Sequence, residues 1–75
     1  ASAEKSLIKS KEKLVKERKR LEKMQDKLEK NKRKGKISEI DIEKENIKIS
    51  KQLIKIKEIQ EDIDKAEKKV NKLRN

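Results

Sequence analysis

The stretch that decides the fold is Lys30-Asn31-Lys32-Arg33-Lys34-Gly35-Lys36-Ile37-Ser38-Glu39-Ile40-Asp41-Ile42. It contains the only glycine of the chain. On the near side, Lys30, Lys32, Arg33 and Lys34 suit the carbonyl-rich end of a helix, and Gly35 can take the left-handed conformation that closes one. On the far side, Ser38 is placed as an N-cap with Asp41 three residues on, a variant of the capping box. Ile37 and Ile42 occupy the positions of a hydrophobic staple. Glu39, Asp41, Glu43 and Glu45 then crowd the positive end of a second helix. Helix end and helix start meet within a few residues, which predicts a reversal over 35–37.

The chain on either side of this reversal repeats every seven residues. Leu7, Leu14, Leu21 and Leu28 form one ladder, and Ile42, Ile49, Ile56, Ile63 and Val70 form another. The two are mirror images about Gly35. Leu28 and Ile42 stand equally far from it, as do Leu21 and Ile49, Leu14 and Ile56, and Leu7 and Ile63. A chain folded back at Gly35 sets leucine against isoleucine at four successive levels. The expected fold class is therefore all-α, a two-helix antiparallel coiled-coil hairpin. Helix one is expected over about 3–34, the turn over 35–37 and helix two over about 38–73. Arms of about 45–55 Å follow from the helical rise. Residues 1–75 read as one helical unit, a segment of a larger protein. Ser2 is placed to cap helix one. The β-branched alternation Ile47-Lys48-Ile49 and Ile54-Lys55-Ile56 imitates strands in a short window. The heptad recurrence, with no turn residue inside it, favours helix.

A coiled-coil seam needs two apolar positions per heptad. Helix one supplies its leucine reliably, but the companion position is either Ser10, Glu17, Met24 and Asn31 or, in the other frame, Lys11, Arg18 and Gln25. Ile8 and Val15 widen the stripe on one flank only. In helix two, Leu53, Ile59, Ala66 and Leu73 broaden the stripe. The expected seam comprises the two ladders with Met24 and Leu53. Ile40, Ile47 and Ile54 each precede a ladder residue by two, a rotation of about 200°. They should face away from helix one. A heptad-spaced apolar row on an outer face suggests a second interface, through which the hairpin dimerises, forms a higher oligomer or docks a coiled-coil partner.

Composition excludes more than it identifies. Asp, Glu, Lys and Arg make up 53% of the 75 residues, apolar residues 29%, and aromatic residues are absent. That balance leans towards disorder unless it is patterned, as here, for a long helix. Without cysteine or histidine there is no disulfide and no ordinary zinc, haem or iron–sulfur ligand set. A glycine-rich phosphate loop needs several glycines. Glu61, Asp62 and Asp64 cluster, but acid–base catalysis needs a dehydrated pocket that two helices do not form. No catalytic residue, cofactor site or metal site is expected. No apolar run approaches ~18 residues, so no membrane span is expected. The Ala-Ser-Ala start is compatible with a processed leader; a cytoplasmic location is the simpler expectation, with secretion left open.

The net charge is +10 and unevenly placed. Residues through Gly35 hold 14 Lys/Arg against 6 Asp/Glu, and those after it 11 against 9. Such a surface is either a solvated helix exterior or a field that draws anionic partners. Lys30, Lys32, Arg33, Lys34 and Lys36 at the tip are candidate phosphate contacts. With no aromatic residue to stack a base, nucleic-acid binding is expected chiefly through the parent protein.

The run Gly35-Lys36-Ile37-Ser38-Glu39, set between two long helices, resembles the tip of the coiled coil in large serine recombinases (phage serine integrases and their relatives). That coil is inserted in a C-terminal zinc-ribbon domain. The family's tip tends to carry apolar residues before the glycine, where this chain has Lys32, Arg33 and Lys34. The resemblance implies an antiparallel coiled coil that does no chemistry and makes subunit contacts during DNA recombination. No catalytic serine or zinc ligand of that family falls in these residues.

Overall fold

The computed structural model describes residues 2–74, except the side chains of Ser2 and Arg74. Two helices make up the fold: α1 (Ser2–Arg33) and α2 (Glu39–Arg74). They pack as an antiparallel hairpin with Cα extents of 57 × 15 × 14 Å. The backbone of Ser2 is already helical. Its expected capping side chain and Ala1 lie outside the described residues.

The reversal is built from local hydrogen bonds. Lys34 N donates to Lys30 O at 3.1 Å, the last bond of the α-helical type in α1. Gly35 N then donates to Lys32 O and Lys36 N to Asn31 O, both at 3.1 Å. This pair of bonds is a Schellman closure, and it requires the residue at Gly35 to be left-handed. Gly35 has φ 64°. At the other side, Asp41 N donates to Ser38 Oγ at 3.1 Å, and Ile42 N to Ser38 O at 2.9 Å opens the helical ladder. Ser38 is thus the N-cap. Ile37 and Ile42, on either side of it, are both half-buried.

The seam follows one heptad frame, in which we label the two ladders position a. Leu14, Leu28, Ile63 and Val70 are buried, and Leu7, Leu21, Ile42, Ile49 and Ile56 are half-buried. The companion position d falls on Ser10, Glu17, Met24 and Asn31 in α1; Glu17 is buried and the other three half-buried, whereas Lys11, Arg18 and Gln25 are exposed. In α2, position d falls on Glu45, Gln52, Ile59 and Ala66, all buried or half-buried. The tightest cluster is Leu14, Ile59 and Ile63, flanked by Leu7 and Ile56, with Ile63 only 2% exposed. It lies towards the open end of the hairpin, far from the turn.

Two expectations about the seam need correction. Leu53 stands outside it at 48% exposed. The frame is set by the run Gln52, Ile59 and Ala66, each three residues after a ladder position. Leu53 is rotated a further 100° along the helix, and one leucine cannot pull the whole frame round. Leu73 occupies position d but is 73% exposed. α2 has 36 residues against 32 in α1, so its last turn overhangs the start of α1. Ile8 and Val15, one residue past ladder leucines, are likewise exposed.

Candidate interaction surfaces

The middle of the seam is polar. Gln52 Nε2 donates to the backbone oxygen of Glu17 at 2.9 Å and to its carboxylate Oε2 at 3.0 Å. Lys55 Nζ stands 3.4 Å from the same Oε2, and Arg20 Nη1 3.7 Å from Oε1. The Gln52 amide holds the Glu17 carboxyl below its usual range. Partial burial opposes this, and the charges of Lys55 and Arg20 add to it. This buried polar pair in the middle of the seam sacrifices packing for register, because sliding by one heptad would either leave Glu17 beside Ile59 and Gln52 beside Met24 or set the Glu17 carboxylate against Glu45. Sequence reading placed Glu17 in one of two candidate frames and did not recognise Gln52. The signal was available: both lie at heptad spacing from apolar residues of their own helix.

The outer row is as exposed as its rotation demands. Ile40 is 66%, Ile47 56% and Ile54 57% exposed, all on α2 and pointing away from α1. Among the described residues, the large apolar side chains left open are these three with Ile8, Val15, Leu53 and Leu73.

The interhelical contacts also give the hairpin two distinct long edges. Lys11 pairs with Glu67 at 3.8 Å, and Arg18 Nη2 donates to Gln60 Oε1 at 3.3 Å. These residues lie beside the ladder residues and mark one edge. Lys55 and Arg20 meet at Glu17 on the opposite edge, where Lys48 also pairs with Glu45 at 3.3 Å. The tip cations do not form one patch. Lys30, Lys32, Arg33 and Lys34 are all exposed and are distributed around the end of α1 at helical rotation. Lys36 lies over the turn, lining a shallow hollow with Lys27, Asn31, Asp41 and Lys44.

Glu61, Asp62 and Asp64 are exposed, and among the described residues no group of three acidic side chains is placed to hold a metal ion. Among the described residues no helix is long and apolar enough to cross a membrane. No protein-family model, curated protein or solved structure matches this chain.

Proposed function

We propose that the hairpin is a non-catalytic protein–protein interaction module that self-associates through the outer face of α2. The observation that carries this reading is the row Ile40, Ile47 and Ile54, each more than half exposed and spaced by one heptad. A β-branched row at that spacing suits a second helix lying alongside α2. The rest of the surface is so heavily charged that three isoleucines in register stand out from it.

The energy available suits a weak, reversible contact. Completing the burial of a side chain already about half covered yields roughly 1–2 kcal/mol. Six isoleucines across two copies then give roughly 6–12 kcal/mol, from which association costs at least ~4 kcal/mol must be subtracted. The remainder, at most about 2–8 kcal/mol, spans a Kd from tens of millimolar down to about micromolar, and the reading commits to the part of that range at millimolar or tighter. Subunit contacts within a DNA-recombination protein, as the resemblance at the tip implies, are a use to which such a face is suited.

Sedimentation equilibrium tests the reading. Wild-type protein should show a concentration-dependent rise in mass towards dimer, and Ile47→Glu with Ile54→Glu should abolish it. A wild-type protein that stays strictly monomeric at about 1 mM would remove the self-association reading.

A further inference from the structure

The unused feature of the molecule is the charge on the edge opposite the Lys11–Glu67 pair. From Lys9 to Lys34, α1 and the turn residue that follows it carry a stripe spaced alternately four and three residues, through Lys13, Lys16, Arg20, Lys23, Lys27 and Lys30. Every one of these eight positions is Lys or Arg, and all are exposed. On a helix this spacing stacks side chains on one face, and here it is the face flanking the Glu17 side of the seam. Lys16, Arg20, Lys23 and Lys27 line one groove together with Lys19 and Met24. The antiparallel packing places the matching face of α2 beside it. Lys55 reaches across to Glu17, and Lys44 and Lys48 share a hollow with Lys27. Those matching positions of α2 hold seven lysines, interrupted by Asp41, Glu58 and Asp62. This side of the hairpin therefore carries fifteen cations against three acids of its own, curving from the outer surface of α1 across the Glu17 edge to the outer surface of α2, with Glu17 and Glu45 at the seam. Seven of the chain's acids fall instead at the positions flanking the other edge. The +10 net charge is a property of one face.

We infer that this face is a docking surface for the phosphate backbone of duplex nucleic acid, bound without regard to sequence. The inference centres on the α1 stripe, on the other helix from the isoleucine row, and does not depend on that row. Cations recur every ~5 Å along a straight stripe about 38 Å long, close to one turn of a duplex. A duplex carries one negative charge per ~1.7 Å of axis, so a rigid cationic rod meets several phosphates at once. Single strands are bound through stacking platforms, and the chain has no aromatic residue. An anionic bilayer takes an amphipathic helix by burying an apolar face, and this face has none beyond the half-buried Met24. The charge pattern fits a rigid line of phosphates better than either.

The test is fluorescence anisotropy with a labelled duplex of about 20 bp. Six phosphate contacts predict a slope of log K against log salt near −5, or about a 10³-fold loss of affinity between about 50 and 200 mM salt. Changing Lys13, Lys16, Lys23 and Lys27 to Gln should reduce the slope by about 3 and weaken binding at least tenfold at intermediate salt. Changing Lys5, Lys32, Arg33 and Lys57 to Gln removes the same charge from other faces and should alter affinity less than about threefold. Circular dichroism of both variants separates loss of binding from loss of fold, and the wild-type slope stands independently of either. The proposal is overturned by equal losses in the two variants or by a wild-type slope shallower than about −2. Tighter binding to single strands, or to vesicles containing phosphatidylserine, overturns it equally.

Discussion

Replacing Ile63 with alanine separates the seam from the outer face most sharply. Ile63 is 2% exposed and sits in the cluster with Leu14 and Ile59. The substitution removes three carbons, worth ~2.4 kcal/mol of transfer energy at ~0.8 per methylene. A cavity contribution adds to this, held near its lower limit because a two-helix seam can collapse or admit water. The expected cost is about 2.5–3.5 kcal/mol, a large fraction of the ~4–11 kcal/mol ordinary for a chain this size. For so small a domain that lowers the melting temperature by roughly 10–25 °C. Ile54→Ala removes the same three carbons from a side chain 57% exposed. At concentrations where the protein is monomeric it should cost under ~1 kcal/mol. Thermal denaturation followed by circular dichroism, run on both variants at low micromolar concentration, reads the difference. Equal destabilisation, or a larger effect for Ile54→Ala, would refute the assignment of inner and outer faces.

Gly35→Ala meets no steric obstacle, since nothing lies within 4 Å of an added Cβ, yet it forces a Cβ into φ 64°; a loss of about 1–2 kcal/mol is expected by denaturant unfolding, with Gly35→Asn milder. Ser38→Ala removes the hydroxyl that accepts from Asp41 N and should lower stability by ~1 kcal/mol in the same assay. The Glu17 carboxyl titrates lower in the folded state than in the unfolded one, so its contribution is complete above the ordinary glutamate value of ~4.3 and is lost as pH falls through the depressed value. Melting temperatures recorded between about pH 6 and pH 3 should therefore fall less steeply for Glu17→Gln than for wild type. Identical profiles would contradict the Gln52–Glu17 linkage.

The hairpin was legible because its signals agree at different scales. Gly35, Ser38 and the staple isoleucines act through a few neighbouring bonds, and the ladders repeat the same message over the whole chain. Leu53 was misplaced because apolarity alone assigns residues to a stripe, whereas the stripe's azimuth is a collective choice of all the heptads. Gln52 was missed for the complementary reason. A polar residue at a seam position carries no hydrophobic signal, and its value depends on Glu17 arriving opposite it from a distant part of the chain. The tip lysines looked like a cluster in one dimension. Helical rotation divides them among different faces, and the coherent cationic surface lies along α1, where acids interleaved in sequence conceal it.

Everything rests on the chain turning back within one molecule at Gly35. Dye labels on Lys5→Cys and Lys68→Cys, in protein diluted into an excess of unlabelled chain, measure this directly by energy transfer. The hairpin places both sites at the same end of a body with a 15 × 14 Å cross-section, so transfer should be nearly complete. An uninterrupted helix through residue 35 would hold them ~95 Å apart, and the absence of transfer would contradict the fold.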